Sequence, residues 1–268
     1  MTENNFDVVV VGGGPGRYVA SIRASQLGLK TLCVEKQKNL GGTCLNVGCI
    51  PSKAMLEISH KYHDANHQFE KLGINVSKPK IDVNKLIQNK NEIITGLTTG
   101  ISGLFKKNKV SHINGHAKFI NKNQIEVLKS DGSKEIISAK NFVIATGSEV
   151  AKLPNVELDE KIIISSTGAL ELQKVPQKMI IIGAGVIGLE LGSVWGRFGA
   201  EIEVVEYLDR ITPAMDEEIS KNFQRVLEKQ GMKFRLSTKV VSVTKQKNSA
   251  IVEIESVNGD KKGCWKVS

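Results

Sequence analysis

Two stretches of this chain follow one plan, and that repetition restricts the fold more than any other feature. Residues 7–35 run "DVVVVGGGPGRYVASIRASQLGLKTLCVE", and residues 179–206 run "MIIIGAGVIGLELGSVWGRFGAEIEVVE". Each reads as a short buried strand, a glycine-rich turn, a helix ending at a glycine (Gly28, Gly199) and a second strand ending in an acid (Glu35, Glu206). Two such units imply an α/β chain of two Rossmann-like, doubly wound dinucleotide-binding domains. The 268 residues give each domain room for a core. "KLPNVELDEK", with Pro154 and several charges, places the boundary, giving domains over 1–150 and 151–268.

In the second copy Gly183, Gly185 and Gly188 form a GxGxxG pattern between strand and helix. The first glycine permits the tight turn, and the second lets backbone amides approach a pyrophosphate at the helix N-terminus. The third lets helix and strand pack closely. Glu206 closes the next strand, where a carboxylate accepts hydrogen bonds from ribose hydroxyls and disfavours a 2′-phosphate; NAD is therefore expected over NADP. The first copy keeps Gly12 and Gly14, and Glu35 stands at the same spacing from Gly12 as Glu206 from Gly183. Its third position is Arg17. An arginine there needs space that the usual packing does not leave, so either the helix shifts outward or the side chain turns toward the phosphate site. Weaker dinucleotide binding is expected at this copy.

Between the copies, residues 82–107 have helical spacing, with Leu86, Ile93, Ile94, Leu97, Ile101, Leu104 and Phe105 as apolar positions. "IEVLKSDGSKEIIS" reads as a hairpin around Asp131-Gly132, and "NFVIATGS" as a buried strand ending in a small-residue turn. Residues 216–230 read as a helix, followed by strands in "KFRLSTKVVSVTKQ" and "AIVEIESVNGD".

A formal charge of +9 raises nucleic acid as a partner, but the basic residues are scattered and only 5% of residues are aromatic. That pattern describes a lysine-rich solvated surface, so no nucleic-acid partner is expected, although an acidic protein partner would suit it. The longest apolar runs are too short to span a bilayer, and no membrane association is expected. The N-terminus enters an apolar run with no basic region or cleavage site. The expected location is cytoplasmic, or the mitochondrial matrix after presequence removal.

Four cysteines are too few for a disulfide scaffold. Cys33, in "TLCVE", reads as a buried core thiol, and Cys264 has no evident partner. Cys44 and Cys49, in "GGTCLNVGCIPSK", are the suggestive pair. Zinc would need further ligands nearby; His60, His63 and His67 share one helical face but read as a solvated polar face, and no metal is expected. Residues five apart in a regular helix rise about 7.5 Å, so a disulfide requires a distorted turn, which Gly48 and Pro51 supply. A bridge in a bent turn is reducible and suits a thiol–disulfide exchanger better than a staple. Lys53, four residues beyond Cys49, could favour a thiolate or an anionic cofactor.

"GGTCLNVGCIPSKAML", with "VVGGGPG", "ATGS" and "GAGVIGLE", resembles the flavin disulfide reductases, and among them the dihydrolipoamide dehydrogenases most. The similarity runs from residue 6 to about residue 262; mercuric reductases share much of the motif. The resemblance implies that the first copy binds FAD through Gly12, Gly14, Gly16, Glu35, Lys36, Gly42, Thr43, Lys53, Ala117, Thr146, Gly147 and Ser148. It implies NAD at the second copy through Gly183, Gly185, Val186, Ile187, Gly188, Glu190, Glu206 and Val240. Cys49 would be the thiol beside the flavin and Cys44 the interchange thiol. The implied reaction oxidises dihydrolipoyl groups through a Cys44–Cys49 disulfide and FAD, reducing NAD⁺ to NADH. Implied partners are the dihydrolipoyl domains of 2-oxo acid dehydrogenase complexes and, for the full-length family, a second copy in a homodimer.

Family members are considerably longer, and the resemblance implies that the first domain lacks its C-terminal return segment and that the second is incomplete. Their general base, a His paired with Glu, finds no match among His60, His63, His67, His112 and His116. The tail "GDKKGCWKVS" stops resembling the family after about Lys262, which leads to the expectation of a truncated or frameshifted product. The alternatives are a non-catalytic nucleotide-binding fragment and a mercuric-reductase-like flavoprotein.

Overall fold

The computed structural model describes residues 4–257 and the backbone of residues 262–267. In chain order the elements are β1 (Asn5–Val11), α1 (Pro15–Gln26), β2 (Thr31–Glu35), α2 (Gly42–Val47), α3 (Cys49–His67) and α4 (Val83–Lys107). Then come β3 (Ser111–Asn121), β4 (Gln124–Lys129), β5 (Lys134–Ile144), α5 (Ser166–Ala169), β6 (Lys178–Ile182) and α6 (Val186–Arg197). The described chain closes with β7 (Glu201–Val205), α7 (Glu217–Lys229), β8 (Lys233–Arg235), β9 (Thr238–Lys245), β10 (Ala250–Ser256) and β11 (Lys262–Val267). These elements form two compact units, one of residues 1–51 and 91–149, the other of residues 52–90 and 150–268. Residues 52–90, assigned to the first domain by the sequence reading, cluster with the second unit.

In the first unit β1 to β5 close into a ring. β1–β2, β2–β3 and β1–β5 are parallel, whereas β3–β4 and β4–β5 are antiparallel. Closure is possible because β3 changes partner along its length: Ser111–Asn114 pairs with β2, and Gly115–Asn121 with β4. The ring's core is Val9, Val11, Leu32, Val34, Ile125, Val127, Ile137 and Ala139. The hairpin around Asp131-Gly132 forms as expected. "NFVIATGS" does not become a buried strand: it is the end of β5, where Val143 and Ile144 are 38% and 67% exposed.

In the second unit β6, β7 and β8 form a parallel three-stranded sheet, and β9 pairs with β10 antiparallel. Its main core gathers Leu189, Val194 and Trp195 of α6 with Ile202, Val204, Leu227 and, from the 52–90 stretch, Met55 and Leu86. Trp195 is fully buried, and its indole N–H donates to Ala169 O at 3.0 Å, leaving no polar cost to offset its burial. Buried Lys90 has its charge paired with Glu171 and donates to Leu170 O at 3.0 Å. Asp216 caps α7 by accepting from the amides of Glu218 and Ile219, which is why that helix starts where the sequence indicates. Cys264 lies in β11, of which only the backbone is described; residues 259–261 and 268 of the divergent tail lie outside the described residues.

Candidate nucleotide and thiol sites

Each glycine-rich turn grows out of a parallel strand and feeds a helix. Gly12 N donates to Val34 O and Gly183 N to Val205 O, so each turn is pinned to the neighbouring strand. Gly14 and Gly185 are the extended residues just before α1 and α6. Both acids are buried and held alike. Glu35 accepts from the amides of Gly13 and Gln37, and Glu206 from those of Ala184 and Leu208, at 2.6 and 2.8 Å in the latter case. A carboxylate has about four lone-pair positions, so each retains acceptor capacity for a ribose hydroxyl.

The second turn is open. A side-chain carbon built on Gly183 or Gly185 meets nothing within 4 Å, whereas one on Gly188 lies 2.7 Å from Gly183 O and 2.8 Å from Ile181 Cγ2. Gly188 is thus the close-packing position, and the space above the turn remains for a ligand. Val186 and Ile187 are exposed in the first turn of α6. Val240 lies on β9, two residues after Thr238, whose amide donates to Glu206 O at 2.9 Å. These residues fit a dinucleotide.

The first turn is filled from within. The Arg17 side chain turns over the glycines, the second of the two alternatives left by the sequence. A carbon built on Gly12 would lie 2.5–2.6 Å from Arg17 Cδ, Nε and Nη1, and one on Gly14 would lie 3.5 Å from Nη1. Arg17 Nη2 occupies the same space at Gly147, and Nη1 lies 3.7 Å from Glu35 Oε2. Three segments converge there: the turn after β1, residues 146–148 after β5, and Gly42 at the start of α2, which packs directly on Gly14. Gly13 and Gly41, not singled out from sequence, are structural members: Gly41 N donates to Gly13 O at 2.7 Å. The paired glycines of "GGG" and "GGT" were the signal. Gly16 stands in open space, Thr43 is exposed, and Lys36 forms a surface pair with Glu149 at 2.7 Å. Ala117 lies on β3 opposite Val127 and packs on the ring's core. With Arg17 in place, this cradle does not fit a dinucleotide pyrophosphate.

Cys44 and Cys49 straddle a helix break. α2 ends at Val47 and α3 begins at Cys49, with Gly48 between them at φ −138° and ψ −115°. A carbon on Gly48 would lie 2.9 Å from Thr43 O and 3.2 Å from Cys44 Cα, so Gly48 packs directly on the turn that carries the first cysteine. Pro51 disrupts no helical ladder, contrary to the expectation. It is the third residue of α3, where an amide has no intrahelical partner to lose. Cys44 is half-buried and Cys49 exposed. Cys33 is a core thiol, pushed up to about 12 first by burial and then by the Glu35 charge. In the second unit Lys53 pairs with Glu190 of α6, and Ser52 Oγ lies 3.4 Å from the same carboxylate. His60 and His63 face Asp64 at 3.4 and 3.6 Å, and the His63 and His67 rings lie 4.7 Å apart at a tilt of 47°. No helix among the described residues is long and apolar enough to cross a membrane.

The chain's fold is shared with the Cu(II) complex of HOCl-induced flavoprotein disulfide reductase RclA from Escherichia coli. The TM-score is 0.81 at 23% identity, covering 98% of this chain and 55% of that one. Over 253 residues the chain is 56% identical to dihydrolipoyl dehydrogenase 1, mitochondrial, of Arabidopsis thaliana, covering 94% of this chain and 50% of the relative. It is 54% identical over 258 residues to dihydrolipoyl dehydrogenase, mitochondrial, of Homo sapiens, covering 95% and 51%. Leghemoglobin reductase of Vigna unguiculata is 54% identical over 253 residues, covering 94% and 48%. The chain spans about half the length of the curated relatives it matches. The mitochondrial names of two of these relatives do not support the cytoplasmic expectation. The family profile described as pyridine nucleotide-disulphide oxidoreductase matches residues 6–264, from β1 to β11, and the chain belongs to that family.

Proposed function

We propose that the chain carries the thiol–disulfide and pyridine-nucleotide parts of a dihydrolipoamide dehydrogenase. The observation that carries this reading is the placement of Cys44 and Cys49 on either side of the Gly48 helix break. The names of the curated relatives favour it over a mercuric-reductase-like flavoprotein. In the exchange, a dihydrolipoyl thiolate attacks Sγ of Cys44 in a Cys44–Cys49 disulfide. The bond between the cysteines breaks, a substrate–Cys44 disulfide forms, and Cys49 leaves as the thiolate. The second substrate thiol, after losing its proton, displaces Cys44; the lipoyl disulfide closes and both cysteines are left reduced. Two electrons have then moved from the substrate dithiol to the protein. Passing those electrons on to NAD⁺ would need FAD, whose cradle in this chain is filled by Arg17.

NAD would be held by the Gly183–Gly188 turn at the start of α6, with Glu206 on its adenosine ribose and Val240 near the adenine. Glu190 and Lys53 neutralise each other in this structure, so neither presents a lone charge to a nicotinamide. The dihydrolipoyl domains of 2-oxo acid dehydrogenase complexes are the proposed protein substrates. A homodimer is proposed for the longer protein, and the mitochondrial matrix as its location. Arg17 favours a second reading, in which the chain binds pyridine nucleotide without turning over.

Anaerobic thiol counting tests the exchange. The oxidised chain should gain two thiols per dihydrolipoamide oxidised, and Cys44→Ser should gain none. Consumption of dihydrolipoamide by Cys44→Ser would overturn the assignment of the interchange thiol.

A further inference from the structure

We propose that Arg17 is an internal occupant of the first nucleotide cradle, so that this unit takes up a dinucleotide only by displacing its own guanidinium. The inference rests on the reading of residues 7–35 as a nucleotide site. It is carried by three observations made in that unit alone. First, the guanidinium and Cδ lie in the space that the glycines at 12, 14 and 147 leave open. Second, the side chain is 12% exposed, enclosed by the loops that would otherwise face a ligand. Third, Nη1 stands 3.7 Å from the carboxylate that a ribose would need, and that carboxylate is itself only 3% exposed.

A ligand entering this cradle must remove the arginine from a low-dielectric seat, separate it from Glu35 and fill the vacated volume itself. Part of its binding energy is spent on that exchange, so the apparent affinity falls by the fraction of molecules whose cradle is open. The second unit, with Gly188 at the corresponding position, has no such competitor.

The test uses the 268-residue chain, stripped of nucleotide and titrated with FAD by quenching of flavin fluorescence. Arg17→Gly should bind FAD about ten-fold or more tightly than the unsubstituted chain. Arg17→Ala should fall on the same side, and serves if the glycine variant does not fold. Arg17→Met, which keeps length without charge, should stay weak because bulk alone fills the cradle. Adding Glu35→Gln to Arg17→Gly should reverse the gain, placing the FAD in this cradle. NADH affinity at the second unit should be the same in all of them. Equal, tight FAD binding with and without Arg17 would overturn the proposal while leaving the nucleotide reading intact. Absence of FAD binding even in folded Arg17→Gly and Arg17→Ala would overturn both.

Discussion

In both glycine-rich turns the first glycine's amide donates to the end of the adjacent strand, and the next amide donates to a buried carboxylate. In both, the amide two residues beyond the carboxylate bonds its other oxygen. What separates them is one position: Gly188 packs against Ile181 and Gly183 O, while Arg17 folds back over Gly12. The scaffold of a nucleotide site and its vacancy are therefore separate properties. Strand pairing and backbone hydrogen bonds make the first; the side chain in the helix's first turn decides the second.

The strongest way to break the contrast is to copy the first turn into the second. Gly188→Arg forces a side chain against a backbone carbonyl 2.7 Å away, and overpacking of that kind costs about 3 kcal/mol. Chemical denaturation should show the second unit destabilised by that order, with NADH binding lost. Retained NADH affinity would mean that Gly188 is not the close-packing position.

Next come the two acids. Glu206→Gln loses a charge-assisted hydrogen bond, worth about 1.5 kcal/mol, and Glu35→Gln should cost about 1 kcal/mol more because it leaves the buried Arg17 charge without its partner. A denaturant comparison giving equal costs would remove Arg17 from the account of Glu35.

Smaller effects belong to Cys33, whose Sγ lies 3.1 Å from Gly12 O beneath the first turn. Its folded-state pKa is raised from 9.0 to about 12, so the protonated thiol is the form that folding favours. Its contribution is complete below about pH 9 and is lost as the pH rises toward about 12. Cys33→Ala should therefore flatten the alkaline limb of the stability–pH curve in that window. An unchanged limb would show that another group controls it. The smallest effect is expected at the exposed Lys36–Glu149 pair, where either alanine variant should shift stability by less than about 0.5 kcal/mol by denaturant titration.

The repeated plan and the helices were legible because local signals carry them: Gly28 and Gly199 end α1 and α6 at positive φ, and Asp216 starts α7. Ring closure was not legible, because β3 and β5 each serve two neighbours and pairing between distant strands leaves little trace in a local pattern. "NFVI" misleads for the same reason: an apolar run records what could be buried, and not what covers it. Residues 52–90 could not be assigned from sequence because α3 runs unbroken through Pro51 and Ser52. At the site, the glycines and acids were readable as a pattern. Arg17's destination was not, since Gly12, Gly42 and Gly147 meet only through tertiary structure.

Closure of the five-stranded ring has a consequence for behaviour in concentrated solution. A ring has no terminal strand, so no row of amides and carbonyls is offered sideways to another molecule. In the parallel sheet of the second unit, β6 pairs with β7 on one side only among the described strands, and Ile182 at its end is 37% exposed. Strand-to-strand self-association, and the turbidity that follows it, would therefore begin at the open-edged sheets of the second unit and spare the ring.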